Sequence, residues 1–122
     1  MITLEISGNC LVLRLDRAVT NAIHGQLLHA LGTALSEAAG SSAARAVVLS
    51  STGEKFFSIG LDIPSLYPLD REGFAHFLHS YNRLTHQMLT FPKRLVAAIR
   101  GHAVAGGCIL ALGCDYRVFA DG

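Results

Sequence analysis

Two glycine-bearing segments dominate the chemistry open to this chain: Phe57-Ser58-Ile59-Gly60-Leu61-Asp62, and Gly101-His102-Ala103-Val104-Ala105-Gly106-Gly107-Cys108. Each follows a short apolar run, and glycine lets a turn leave a backbone N–H free to face a ligand. Two such donors converging on one oxygen form an oxyanion hole, which stabilises an enolate or a tetrahedral adduct. The second segment also runs into an apolar helical pattern, whose first N–H groups and dipole favour developing negative charge.

Plainer readings exist for the same residues. Gly106-Gly107 suits a tight turn before a helix. It is not a phosphate loop, because Cys108 stands where GxxxxGK[ST] needs lysine, and GxGxxG is absent. His76, His79 and His86 share a helix without Cys or carboxylate at ligand spacing, so they read as solvated surface and no metal is expected. His102 suits a loop histidine satisfied by a carbonyl as well as a base. Ser58, His102 and Asp115 assemble into a triad only on paper, since no GxSxG elbow supports it. Asp62 and Asp115 read as caps or structural pairs. Lys55 is either an exposed turn lysine or a partner for an anionic ligand.

The elements that must position these segments follow from periodicity. Ile2 to Ser7 and Cys10 to Leu15 read as strands joined by a Gly8-Asn9 hairpin turn. Ile23, Leu27, Leu28, Leu31 and Leu35 mark a helix over 22–39, with Gly40 as its stop. Arg45 to Ser50 reads as a buried strand. Pro64 and Pro68 predict an irregular stretch through Asp70. The stripe Phe74, Phe77, Leu78, Tyr81, Leu84, Met88 and Leu89 predicts an amphipathic helix over 71–89, ended by Pro92. Leu95 to Ile99 is a strand, Gly107 to Gly113 a short helix apolar all round and hence buried, and Tyr116 to Ala120 a last strand. Alternating strands and helices imply an α/β fold with a partly parallel sheet. A chain that stops directly after a strand looks unfinished.

Composition bounds the function. The 122 residues fit one domain, and 51% apolar against 16% charged residues excludes disorder. The mean hydropathy of +0.40 implies extensive burial or an apolar face that meets a partner. No apolar run reaches the roughly 18–20 residues of a membrane span, so no membrane protein is expected. The N-terminus lacks the basic start and apolar region of a signal peptide. The net charge of +1 is spread over scattered basic residues, against a nucleic-acid surface. Cys10, Cys108 and Cys114 form no CxxC pair and read as small apolar core residues in a reducing, cytoplasmic setting.

The chain as a whole resembles the N-terminal half of the crotonase (enoyl-CoA hydratase/isomerase) superfamily. The likeness rests on Gly53-Glu54-Lys55-Phe56-Phe57-Ser58-Ile59-Gly60-Leu61-Asp62-Ile63, on Ala97-Ala98-Ile99-Arg100-Gly101 running through Gly106-Gly107-Cys108-Ile109-Leu110-Ala111-Leu112, and on Cys114-Asp115-Tyr116-Arg117. It implies a fold of repeated ββα units whose C-terminal part is absent here, and an acyl-coenzyme A thioester substrate, with coenzyme A entering as part of the substrate rather than as a cofactor. It assigns the two oxyanion N–H groups to Leu61 and Gly106. It further implies that Lys55 meets the coenzyme A nucleotide and that Ser58, Ile59 and Ile63 lie where adenine and pantetheine are cradled. Gly60, Asp62, Gly107 and Ile109 complete the implied substrate site.

Two departures from the family pattern shape the expectation. Hydratases carry a catalytic glutamate three residues after the oxyanion glycine, and here that place holds Ile109, which cannot exchange a proton. The run around Ile109 is most similar to the Δ3,Δ2-enoyl-CoA isomerases, which shuttle a proton with one later carboxylate. That carboxylate lies downstream of Gly122, together with helices used in trimer packing. The expectation is an enoyl-CoA isomerase-like protein of fatty acid metabolism that forms a homo-oligomer, a trimer or hexamer in the family. The alternatives are a non-catalytic acyl-CoA-binding or assembly module, or another crotonase reaction such as hydration or thioester hydrolysis.

Overall fold

Apolar residues alternate with less buried ones along β3 (Ala46–Ser51) and β5 (Arg94–Ile99), as strands inside a sheet require. In the computed structural model, which describes residues 1–121, these two strands form the centre of a five-stranded sheet. Its order is β1-β2-β3-β5-β7, with β1 (Ile2–Ser7), β2 (Cys10–Leu15) and β7 (Tyr116–Phe119). The hairpin β1–β2 is antiparallel, turning at Gly8 with φ +60°, and every other pairing is parallel. Parallel neighbours need crossovers. Helix α1 (Gly25–Gly40) makes the one from β2 to β3, and α3 (Arg71–Leu89) lies on the one from β3 to β5.

The core fills the space between these helices and the sheet. Leu27, Leu31 and Leu35 of α1, Phe77, Tyr81, Leu84 and Met88 of α3, and Leu13, Leu15, Val47, Leu49, Leu95 and Ala97 of the sheet form one buried cluster. Polar bonds tie the layers together. Gln87 Nε2 donates to Gly32 O at 3.0 Å, and Lys93 Nζ donates to Ser41 O and, at 2.7 Å, to Ala38 O, which also accepts the Ser41 N–H at the end of α1. Asp115 Oδ2 accepts the Leu95 N–H at 2.9 Å, which pins the start of β5 to the approach of β7.

Most expected elements are present, with boundary corrections. Helix α1 starts at Gly25 rather than Ala22, because Asn21 is left-handed (φ 51°) and His24 Nδ1 caps the Leu27 N–H. Gly40 is its last helical residue, with Ser41 as the C-cap. The stretch around Pro64 contains a single helical turn, α2 (Ile63–Leu66), since proline is welcome in a first turn. The buried stripe of α3 is narrower than expected: Phe74, Leu78 and Leu89 are exposed. Two short strands, β4 (Phe56–Ser58) and β6 (His102–Ala103), pair in parallel where turns were expected. Helix α4 (Gly106–Leu112) is not buried all round, for Cys108, Ile109 and Leu112 face outward. Cys108 is therefore not a core residue; Cys114 is buried and Cys10 half-buried. Among the described residues no helix is long and apolar enough to cross a membrane.

Candidate functional site

The β4–β6 pair brings the two glycine segments together. His102 N donates to Lys55 O at 2.9 Å and Val104 N to Ser58 O at 3.0 Å. The backbones lie so close that a Cβ on Gly101 would fall 2.3 Å from the Lys55 carbonyl carbon. A Cβ on Gly107 would fall 2.3 Å from Ser58 O. No side chain fits at either place.

Beyond these contacts each segment turns. Val104 to Gly107 forms a β-turn closed by Gly107 N donating to Val104 O at 2.8 Å. Its first central residue is Ala105, at φ 49° and ψ −115°, the conformation that glycine usually supplies in a type II′ turn. Holding alanine there costs of order 1–3 kcal/mol, offset by the surrounding packing. Gly60 has φ +103°, and a Cβ on it would lie 3.1 Å from Gly106 N, over the very N–H that the second turn presents. Ile23 N donates to Gly60 O and Asp62 N to Ile23 O, both at 2.8 Å, so the Leu61 N–H between them points the other way. Among the described residues neither the Leu61 N–H nor the Gly106 N–H has an acceptor. Two unpartnered donors thus sit on adjoining turns.

A second layer holds these turns in shape. Asn21 is 1% exposed; its Nδ2 donates to Phe57 O at 3.0 Å and its Oδ1 accepts from Arg17 N at 2.8 Å. Ser58 is fully buried, donates to Asn21 O at 2.8 Å and accepts from Gly60 N at 3.2 Å, so its hydroxyl shapes the loop from within. Arg17 Nη2 pairs with Asp62 Oδ2 at 2.7 Å, and Ser65 donates to the same oxygen. The Ser65 hydrogen bond, followed by Arg17, holds the Asp62 carboxyl below its ordinary range. Asp62 therefore stands at the N-cap of α2 as an ionised, engaged carboxylate, bonded to the Ser65 hydroxyl of that turn but capping none of its backbone N–H groups. From α3, Tyr81 donates to Gly106 O at 2.7 Å, and burial pushes its hydroxyl up to about 12.

Ser58, Gly60, Leu61, Asp62, Gly106 and Gly107 are brought into one cluster. Lys55, Ile59, Ile63 and Ile109 are exposed at its periphery, with Lys55 Nζ 5.7 Å from the centre of the Phe56 ring. His102 is exposed and its ring faces Phe56 at 5.6 Å, while Asp115 is bonded to β5 and Ser58 is buried, so no triad forms. His76, His79 and His86 are exposed on α3. Sequence reasoning missed Arg17, Asn21, Ala105 and Tyr81. Asn21 carried a usable signal, since asparagine tolerates the left-handed region just before a helix; Ala105 and Tyr81 carried none.

Beside a mostly parallel sheet, two adjoining backbone turns thus present N–H groups that have no acceptor among the described residues. The chain belongs to the enoyl-CoA hydratase/isomerase family, which it matches over residues 5–122. It is 34% identical to the mouse mitochondrial enoyl-CoA delta isomerase 1 over 110 residues, covering 90% of this chain and 38% of that protein. It is 29% identical to the short-chain-enoyl-CoA hydratase of Clostridium acetobutylicum, covering 96% of this chain and 45% of that protein. The fold matches the crystal structure of human mitochondrial delta3-delta2-enoyl-CoA isomerase with a TM-score of 0.94 and 28% identity, covering 99% of this chain and 48% of that one. It matches an enoyl-CoA hydratase from Bacillus anthracis with a TM-score of 0.92 and 27% identity, covering 97% and 46%. The chain thus has the crotonase fold and spans less than half the length of these relatives.

Proposed function

We propose that this chain supplies the thioester-gripping part of an enoyl-CoA isomerase acting on fatty acyl-CoA, with the Leu61 and Gly106 N–H groups as the oxyanion hole. One observation carries the reading: two adjoining backbone donors are left without acceptors. Converging on the thioester oxygen, they would stabilise the dienolate formed when an α-proton leaves, and the proton would return at C4. Ile109, exposed on the first turn of α4, offers hydrocarbon where two-carboxylate hydration requires an acid or base. Asp62 is held by Arg17 and Ser65 and is not the base. The proposal assigns the proton carrier to the remainder of the relatives' length. It also takes the isomerase to be a homo-oligomer, to which the exposed apolar residues of α4 and β7 add a reason.

The test compares this chain with a version extended to the relatives' length. Calorimetry should show saturable binding of a 3-enoyl-CoA to both, and only the extended protein should convert it to the 2-enoyl isomer. Hydration of 2-enoyl-CoA by the extended protein without isomerisation would overturn the assignment. Binding without turnover by either would instead favour an acyl-CoA-binding module.

A further inference from the structure

We propose that Tyr81 is a positioning residue for the Gly106 donor, acting from α3 through the main chain. The inference rests on the oxyanion reading above and adds the device that aims one of its two groups. Tyr81 is 7% exposed and its hydroxyl donates to Gly106 O at 2.7 Å. The ring is fixed by its neighbours. Phe74, Phe77 and Tyr81 form a ladder along α3 with centroids 6.5 and 6.4 Å apart and interplanar angles of 28° and 26°.

The hydrogen bonds around Gly106 show what the contact does. The peptide plane before Gly106 is held by Ile109 N donating to Ala105 O at 3.1 Å. The plane after it carries Gly106 O, held by Tyr81, and the Gly107 N–H, which donates to Val104 O at 2.8 Å. Tyr81 therefore heads a relay from hydroxyl to peptide to turn carbonyl, in which each bond polarises the next. The relay keeps closed the turn that holds Ala105 at φ 49° and leaves the Gly106 N–H without an acceptor among the described residues. Without the hydroxyl, the plane after Gly106 loses one of its holds, and the turn beside a strained alanine loosens. The Gly106 N–H then spends time off target. Burial, with the nearby Cys108 as a lesser cause, keeps the phenol protonated, so it remains a donor throughout the neutral range.

The test uses Tyr81→Phe, which keeps the ring and removes only the hydroxyl, and two readouts. The first needs no ligand: the ¹⁵N order parameter of Gly106 should fall from the rigid level of about 0.85 while that of Leu61 stays put. The second is the infrared stretch of a ¹³C-labelled butyryl-CoA thioester carbonyl bound to the protein. It should move to lower frequency on the wild-type chain and back toward the free value on the variant, with affinity down by about fivefold, the equivalent of one ordinary hydrogen bond. A Gly106 equally rigid in Tyr81→Phe overturns the positioning role whatever the ligand does. A loosened Gly106 with no carbonyl shift on the wild-type chain sinks the oxyanion reading and leaves Tyr81 as an anchor of the turn alone. Should Tyr81→Phe fail to fold, 3-fluorotyrosine placed at 81 serves instead. As a stronger donor it should lower the bound carbonyl frequency further, and an unchanged frequency overturns the proposal.

Discussion

Gly107→Ala probes the weld between the two segments most directly. The added Cβ would sit 2.3 Å from Ser58 O, and since non-bonded carbon and oxygen rarely approach within about 3 Å, the backbones must part by about 0.7 Å. Ser58 is buried on all sides and cannot swing away, so the movement falls on the β4–β6 pair. Parting by that much takes the 3.0 Å bond from Val104 N to Ser58 O beyond hydrogen-bonding range. Overpacking of this kind costs about 1–3 kcal/mol and the lost bond about 1 kcal/mol, so the expected loss is about 2–4 kcal/mol. With a urea m-value of about 2 kcal/mol/M, the midpoint should fall by about 1–2 M at unchanged m. Gly53→Ala is the matched control, because a Cβ there meets nothing within 4 Å. A Gly107→Ala midpoint that follows the control would show that the segments are not in obligatory contact, and the site geometry drawn from that contact would fall with it.

Two further predictions concern the supporting layer. Asn21→Ala removes the bonds to Phe57 O and Arg17 N and forces alanine to φ 51°, for an expected loss of roughly 3 kcal/mol in urea unfolding. Asn21→Gly should recover the backbone share, and equal losses for the two variants would refute the strain argument. Alkaline pH should destabilise the chain, because burial raises Cys114 from 9.0 to about 12 and Tyr81 from 10.0 to about 12. Between those limits the unfolded chain has lost protons that the native state keeps, so stability present below pH 9 declines as pH rises toward 12. Cys114→Ala should flatten the first part of that decline, and an unchanged slope would contradict it.

The parts of the fold that were legible in the sequence are those with local periodicity. The hairpin at Gly8-Asn9, the limits of α3 and the central strands all follow from patterns that a few neighbouring residues carry. What escaped was decided by partners distant in the chain. β4 and β6 have three and two residues, too few to show a period, and exist because they pair with one another. The start of α1 was displaced by Asn21, whose left-handed backbone is stabilised by Phe57 O, 36 positions away. Phe74, Leu78 and Leu89 obey helical spacing, but the buried surface of α3 is one residue wide at each turn, along Phe77, Tyr81, Leu84 and Met88. The candidate site was legible as two glycine segments. Their union was expected only from the chemistry and the family resemblance, because no local pattern reveals which backbones touch.

The donors at positions 61 and 106 belong to the main chain, and every amino acid except proline brings that N–H with it. Alanine at either donor position therefore leaves the N–H itself in place, although at 106 its Cβ would press on the Tyr81 hydroxyl at 3.2 Å. What can be lost by substitution is posture: the absence of a side chain at Gly101 and Gly107, the left-handed bend at Asn21, the reach of one phenol. On the proposed reading the grip is thus a shape of the backbone, while the side chain at Ile109 on its rim decides which proton transfers can accompany it.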